Sequence, residues 1–241
     1  MMFILVLLLS VQASDNDKNN YDFRAAYPKC VDDNIFKRVK CNNSWAHAFT
    51  GAMSDRLCKA DATNNYIKLS IRHLTCQHET KCQGPFTNDN IQSVVKEGIV
   101  NEDCISYRNE QNIENCPTSC DNVKDNILKY TCTNVRNITG TNNIKAEIYN
   151  NGSVMCIFDE TIDHQRYYDG IYYISHSKKV NDFPTAYKLV GYGLENGIEY
   201  WIGEQSLGED FGENGYVRYK IKDDLCKVAY VCDAVKAPQS Y

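Results

Sequence analysis

The stretch of sequence that decides the fold is Val39-Lys40-Cys41-Asn42-Asn43-Ser44-Trp45-Ala46-His47-Ala48-Phe49, which continues to Ser54-Asp55-Arg56-Leu57-Cys58. From residue 44 to residue 60, apolar side chains recur every three or four positions: Trp45, Ala48, Phe49, Ala52, Met53 and Leu57. This spacing predicts an α-helix with one buried face. We therefore expect a central helix over Ser44 to Ala60, packed against the rest of the domain.

The flanking sequence predicts helices first and strands afterwards. Two shorter periodic segments, Asn88 to Lys96 and Asn143 to Asn150, are each followed by a glycine, as helices commonly are. From Val154 onward, short runs rich in β-branched and aromatic residues are separated by turn residues, at 154–158, 170–174, 186–192, 199–202 and 215–221. A helix-rich first half followed by a strand-rich second half is typical of an α+β fold.

Length and charge narrow the classes of function. The chain has 241 residues, of which 43% are hydrophobic, so it can bury a sizeable core. It carries 26 Lys and Arg against 31 Asp and Glu, a net charge of -5, and no basic patch stands out for a phosphate backbone. We therefore expect no nucleic acid partner, and we expect neither a cofactor nor a metal.

The N-terminus predicts a signal peptide over residues 1–13, an apolar run that closes on small residues at Val11 and Ala13. A membrane anchor is the alternative, but the run is about half of the ~20 apolar residues that span a bilayer. Residues 14–20 are polar and are expected to lead, without a propeptide, into one domain over residues 21–241. We therefore expect a protein that is secreted or that resides in the lumen of a secretory or lysosome-like compartment.

Twelve cysteines, an even number, follow this apolar run. In an oxidising compartment they indicate disulfide bonds rather than free thiols. A zinc site is the weaker interpretation, because the Cys-Pro-Thr-Ser-Cys segment at 116–120 has no second pair of matching spacing. Three sequons, at Asn42, Asn137 and Asn151, predict N-linked glycans where these side chains are exposed.

A second long motif lies far from the central helix. It reads Val190-Gly191-Tyr192-Gly193-Leu194-Glu195-Asn196-Gly197-Ile198-Glu199-Tyr200-Trp201 and then Gly208-Glu209-Asp210-Phe211-Gly212-Glu213-Asn214-Gly215-Tyr216. Together with the stretch around Ser44, it resembles the papain-like cysteine proteases, whose patterns are G-S-C-G-S-C-W-A-F, S-D-R-x-C and G-Y-G…Y-W…N-S-W-G-x-x-W-G-E-N-G-Y. The resemblance extends over residues 21–235. It implies a two-lobed α+β fold with a helix-rich N-terminal lobe and a β-sheet or barrel-like C-terminal lobe.

Within that family the chain is most similar to cathepsin B, because Tyr21-Asp22-Phe23-Arg24 resembles its mature start. The loop that precedes Cys116 is short and has no histidine, so we expect no occluding loop and no carboxypeptidase activity. The resemblance implies four disulfide bonds: Cys30–Cys58, Cys41–Cys82, Cys76–Cys116 and Cys104–Cys120. It leaves four cysteines unassigned: Cys132, Cys156, Cys226 and Cys232. For these, a Cys226–Cys232 bond is a guess.

The resemblance assigns four positions to catalysis, and all four hold different residues here. In the family, a histidine holds a cysteine as thiolate at a helix N-terminus, an asparagine orients that histidine, and a glutamine helps bind the oxyanion. The matching residues are Ser44 for the cysteine, Thr185 for the histidine, Gln205 for the asparagine and Arg38 for the glutamine. Losing one oxyanion donor alone costs ~10²–10³ in rate, and threonine takes no proton at neutral pH. We therefore expect no intact catalytic residue.

The remaining histidines offer no replacement base. His47 lies three residues into the central helix, where the family has an aromatic residue, so we expect it to pack in the core. The others are expected to be no better placed: His73, His78, His164 and His176.

The expected substrate-binding positions are also changed. Pro85 stands where the family has a glycine and removes a backbone N–H that would pair with a substrate. Leu207 replaces a tryptophan that shields the family histidine. Arg38 brings a positive charge beside Ser44, which suggests an anion site at the helix N-terminus.

Three functions stay open on sequence alone. We favour a secreted, monomeric, non-proteolytic protein that binds a peptide, a protease or a protease inhibitor. The alternative is a residual endopeptidase of the cysteine or serine type that uses Ser44, and the third is a structural protein stabilised by its disulfides. The absence of a base argues against the residual endopeptidase. Nothing in the sequence distinguishes the binding protein from the structural protein.

Overall fold

The computed structural model describes residues 19–237, apart from 33, 39–40, 79–80, 84–85, 108–114, 118, 121–126, 174–177, 180–183 and 222–225. The expected signal peptide, most of the polar segment after it, Pro85 and His176 therefore lie outside the described residues. In the part of the chain that is described, no helix has the length and apolar character needed to cross a bilayer.

The helices lie mainly in the first half of the chain, and the predicted central helix is confirmed. Gly98 and Gly152 follow two of the helices with φ of 68° and 113°, a left-handed backbone that glycine adopts without strain. The helices are α1 (Phe23–Ala26), α2 (Ser44–Ala60), α3 (Ile71–Gln77), α4 (Asn88–Glu97) and α5 (Thr141–Asn151).

The strands form one large open sheet and one small one. Their bounds are β1 (Tyr21–Asp22), β2 (Tyr130–Cys132), β3 (Arg136–Thr139), β4 (Val154–Phe158), β5 (Ile171–Tyr172), β6 (Thr185–Glu195), β7 (Ile198–Glu204), β8 (Tyr216–Lys220), β9 (Val228–Val231) and β10 (Ala234–Lys236).

The large sheet has the order β3-β9-β4-β6-β7-β8-β5, and β1 pairs with β6. Neighbouring strands are antiparallel except β5 and β8, which are parallel. β10 and β2 pair separately. The expected α+β fold and its sheet are confirmed, but the barrel-like form is not seen in the described strands, because β3 and β5 end the order at opposite edges.

The two lobes meet along α2, which contacts β4 and β6 on one side and α3 on the other. Trp45, Phe49 and Met53 are fully buried in a core that includes residues of α3 and α4. A second core lies between the sheet and α5. The apolar residues of α2 were predicted to form one buried face, but the helix is buried almost all round because both lobes cover it.

All twelve cysteines form disulfide bonds, including the four that the resemblance implies. The other two bonds are Cys132–Cys232 and Cys156–Cys226, so the guessed Cys226–Cys232 bond is wrong. The extended strand β9 separates Cys226 from Cys232, and a strand advances about 3.3 Å per residue, which carries them beyond bonding distance. Four bonds thus lie within residues 30–120 and two within residues 132–232.

Candidate active site

Ser44 is the first residue of α2 and lies at the junction with β6. Only 3% of it is exposed, and its hydroxyl oxygen accepts a 3.0 Å hydrogen bond from the backbone N–H of Ala186. Ala186 follows Thr185 at the start of β6. The positions that the resemblance assigns to the nucleophile and its base are therefore neighbours across the two lobes, but Ser44 is bonded to the strand backbone.

The carboxylate of Glu160 joins Arg38 to Thr185. Its Oε2 accepts hydrogen bonds from Arg38 Nη2 at 2.9 Å and from Thr185 Oγ1 at 3.0 Å. Burial alone raises the pKa of Glu160, but the neighbouring His164 and the charge of Arg38 lower the pKa below its ordinary value. Glu160 is therefore ionised at neutral pH and balances Arg38. The anion expected beside Arg38 is thus a carboxylate of the protein itself, which corrects the expectation of a site for an external anion.

Gln205 is connected to this network through Tyr219 and His164. Gln205 Nε2 donates to the Tyr219 hydroxyl at 2.6 Å, and that hydroxyl lies 2.8 Å from His164 Nε2. His164 Nδ1 lies 3.5 Å from Glu160 Oε1. Burial raises the pKa of Tyr219 well above its ordinary value, so its hydroxyl keeps its proton. The arrangement consistent with these contacts has Tyr219 donating to Nε2 and the His164 proton on Nδ1, toward Glu160.

Two backbone contacts join the lobes beside this network. The N–H of Arg38 donates to the carbonyl of Ser206 at 3.0 Å. Lys37 pairs with Leu207 in an isolated antiparallel bridge. The backbone at residues 37–38, before α2, is therefore hydrogen-bonded to the backbone at residues 206–207, after β7, next to Arg38 and Gln205.

A narrow cavity lies beside Ser44, between α2 and β6. It encloses about 30 Å³, and a water needs about 10–15 Å³ by this measure, so the cavity holds about two waters. Both lobes line it, through Phe36, His47, Thr50, Ala186, Lys188 and Gln205.

His47 packs as an aromatic side chain, as its position in the helix predicted. Its ring lies edge to face against Tyr107, with centroids 4.8 Å apart and planes at 84°. Burial, together with the positive charges of Arg38 and Lys68, lowers the pKa of His47 to about 3. The imidazole is therefore neutral at physiological pH and contributes packing.

A buried charge cluster lies farther along α2. Lys188 Nζ is 2.6 Å from Glu204 Oε2 and 3.3 Å from Asp55 Oδ2. Burial raises the pKa of Asp55 to about 6, although Lys188 acts in the opposite direction. Burial alone lowers the pKa of Lys188, but the two carboxylates raise it well above its ordinary value. The Lys188 ammonium contacts both carboxylates and takes the position that a metal ion would need between them. The described residues contain no cluster of three or more His, Cys, Asp or Glu side chains suited to a metal.

Three members of the site were not predicted from the sequence: Glu160, His164 and Tyr219. His164 was expected to be no better placed than the other histidines to serve as a base, and it is not hydrogen-bonded to Ser44; it is nevertheless part of the buried network, with 1% exposed. The i, i+4 spacing of Glu160 and His164 is the one local signal, and it does not indicate that the fold carries both residues to Thr185.

Comparisons with known proteins place the chain among its relatives. Residues 18–235 match the profile described as papain family cysteine protease. The chain is 26% identical over 210 residues to a cathepsin B-like CP2 of Giardia intestinalis, covering 85% of this chain and 69% of that protein. It is 29% identical over 200 residues to cathepsin Z of Onchocerca volvulus, covering 78% and 64%. The chain thus spans about two thirds of the length of these relatives.

A solved structure shares the fold. The procathepsin B of Trypanosoma congolense superimposes with a TM-score of 0.81 at 22% identity, covering 94% of this chain and 82% of that one. This likeness concerns the fold alone. The profile match covers most of the sequence, and the chain therefore belongs to the papain family of cysteine proteases, among its cathepsin B-like members.

Proposed function

We propose that this protein is a secreted, non-proteolytic binding protein of the papain family. The observation that carries the proposal is the buried network in which Glu160 holds Arg38 and Thr185. A papain-type site needs a thiolate and an imidazole in contact at this place. The chain has a serine and a threonine there, and both hydroxyls are engaged in contacts that support the fold.

The state of Ser44 supports the same proposal. A serine hydroxyl attacks a carbonyl only when a neighbouring base takes its proton. Among the described residues, the Ser44 hydroxyl bonds to the Ala186 N–H, and no histidine is hydrogen-bonded to it. His164 belongs to the buried network, but its Nε2 is hydrogen-bonded to the Tyr219 hydroxyl and its Nδ1 faces Glu160.

The disulfides and the N-terminal sequence, rather than the candidate active site, support secretion. Six disulfides are typical of proteins that mature in an oxidising compartment. The apolar run at residues 1–13 provides the expected route into it.

We propose a protease or a protease inhibitor as the partner. The fold that the chain shares with a procathepsin B motivates this choice of partner. The small cavity beside Ser44 favours recognition outside the reactive centre over capture of a peptide within it. Affinity capture from the native medium with the purified, immobilised domain tests this, and recovery of neither class of protein contradicts the proposed partner.

Activity is tested with the purified protein and fluorogenic dipeptide substrates. We expect no turnover and no labelling by thiol-directed epoxides, because the site offers neither a thiolate nor a base. Ser44→Ala is the matched control, since a contaminating protease is indifferent to it. Turnover by the unmodified protein that Ser44→Ala abolishes contradicts the proposal and establishes the residual serine-type endopeptidase in its place.

Reconstruction of the site tests the same reasoning in the opposite direction. Ser44→Cys alone should give a thiol of ordinary reactivity, because the helix dipole assists its pKa but no imidazolium does. The double change Ser44→Cys with Thr185→His should be the minimum for epoxide labelling. Labelling of the single variant at the rate of the double variant shows that another base serves the site.

A further inference from the structure

The sequon at Asn42 is built from the positions that the family uses at its reactive centre. In the family pattern C-G-S-C, a glycine stands at the position of Asn42 and the nucleophile at that of Ser44. Here the same segment reads Cys41-Asn42-Asn43-Ser44, and its last three residues are a sequon. The residue that replaces the nucleophile therefore also completes an acceptor for an N-linked glycan.

The structure leaves the Asn42 side chain as the exposed part of this segment. Asn43 is fully buried and its Nδ2 donates to Thr75 Oγ1 at 3.1 Å, and Ser44 is buried against Ala186. The backbone N–H of Asn42 donates to the carbonyl of Cys82 at 3.1 Å, beside the disulfide of its neighbour. Asn42 itself is exposed to solvent.

We propose that Asn42 carries an N-linked oligosaccharide at the edge of the inter-lobe junction, two residues before α2. In the transfer, the Asn42 amide nitrogen Nδ2 bonds to the anomeric carbon of an oligosaccharide linked to a lipid pyrophosphate. The bond from that carbon to the pyrophosphate oxygen breaks, the lipid pyrophosphate leaves, and Nδ2 loses one proton. The inference rests on the secretion part of the proposed function, because the donor and the transferase are found in the secretory pathway.

The contacts of Ser44 fix when this transfer occurs. The transferase must reach the sequon hydroxyl, and in the folded protein that hydroxyl accepts from Ala186. The sequon at Asn151 is similar, since Ser153 Oγ donates to Asp55 Oδ2 at 2.5 Å. The glycan at Asn42 is therefore added to the nascent chain before α2 docks on β6.

The consequence concerns the edge of the inter-lobe junction beside Ser44. An oligosaccharide on Asn42 emerges at this edge, two residues before α2. A peptide laid along the edge would meet a covalently attached group. The glycan therefore covers the junction from outside, while the pair of Arg38 and Glu160 occupies it from within.

The test uses the full chain, secreted by eukaryotic cells and recovered from the medium. Peptide N-glycosidase in ¹⁸O water converts each glycosylated asparagine to a labelled aspartate, which mass spectrometry of the digest locates. We expect the label on Asn42 in more than half of the molecules. Asn42 recovered without label from the secreted protein overturns the proposal, whatever Asn137 and Asn151 show.

Three variants provide matched controls. Ser44→Thr keeps the sequon and should keep the label on Asn42, whereas Asn42→Gln and Ser44→Ala should each remove one glycan from the mass of the intact protein. Asn151 is the internal reference in every sample. Loss of the Asn42 label in Ser44→Thr, with Asn151 still labelled, also contradicts the proposal. Peptide turnover is measured separately, so the proposed lack of activity and this glycan stand or fall independently.

Discussion

The C-terminal end of α2 and the segment that precedes α2 are both fastened to the sheet lobe by ion pairs, but the pairs have different origins. At the C-terminal end, Arg56 lies in the Ser-Asp-Arg motif that the chain shares with its family, and its Nη2 is 2.6 Å from Glu147 and 2.5 Å from Asp233. In the preceding segment, Arg38 pairs with Glu160 at a position where the family has a different residue.

The difference lies in where the buried polar groups find their partners. Buried donors and acceptors must find partners, or each costs about 1–3 kcal/mol. At the retained end, Arg56 pairs with Glu147 and Asp233. At the replaced end, Arg38 and Thr185, which the resemblance assigns to catalysis, both bond to the Glu160 carboxylate and so support the fold. Gln205 is satisfied only in part, because its Nε2 donates to Tyr219 while its Oε1 is buried without a partner among the described residues.

The largest effect is expected at the retained end. Arg56→Met leaves Glu147 without one of its buried partners, and breaking such a pair costs about 3–5 kcal/mol. Urea unfolding followed by fluorescence measures the loss of free energy of unfolding. Arg24→Met is the matched control, because its pair with Asp22 is partly exposed and should be worth at most about 1 kcal/mol. Equal losses in the two variants contradict the assigned importance of Arg56.

A smaller effect is expected at the replaced end. Glu160→Gln should lower the free energy of unfolding by about 2–3 kcal/mol, since Arg38 is less deeply buried than Arg56 and water can reach it. Arg38→Gln and the double variant complete a double-mutant cycle. We expect the double variant to be less destabilised than the sum of the two single variants. Simple additivity argues that Arg38 and Glu160 do not interact in solution.

A third effect, which appears only as the pH is varied, is expected midway along α2. The pKa of Asp55 is about 6 in the folded protein against an ordinary value of 3.8. Between these values the folded state binds more protons than the unfolded state, so the contribution of Asp55 to stability is present below the ordinary pKa and is lost as pH rises through about 6.

Asp55→Asn removes this dependence. The difference in free energy of unfolding between the unmodified protein and Asp55→Asn should change by about 3 kcal/mol over this interval, in favour of the variant as pH rises. Urea titrations at a series of pH values measure it. A pH-independent difference contradicts the raised pKa, and Asp61→Asn, which changes an exposed carboxylate, is the control.

Sequence reasoning predicted the parts of this molecule that local pattern determines. The helix over residues 44–60 follows from the spacing of apolar residues, and the helix ends follow from Gly98 and Gly152. Four disulfides came from the family resemblance, while the pairing of Cys156 with Cys226 depends on two distant strands meeting, which local spacing does not reveal.

The candidate site was predictable only in part, for the same reason. Ser44, Arg38 and Thr185 could be located because motifs surround them. Glu160 is one of three acidic residues in the segment 159–163 after β4, and its role arises when β4 and β6 pair and carry it to Thr185. A motif identifies the positions at which the residue differs from the family pattern. The residue that hydrogen-bonds to the new side chains is distant in the sequence, so only the structure identifies it.

The disulfides fall into two groups, one in each half of the chain, and no disulfide joins the two halves. Four bonds close within residues 30–120 and two within residues 132–232, so no cross-link spans the peptide bonds between residues 121 and 131. A single proteolytic cut there would yield two disulfide-bonded fragments. The packing of α2 on β4 and β6, the pairing of β1 with β6 and the ion pairs of Arg38 and Arg56 would then hold the fragments together, as between the subunits of a heterodimer.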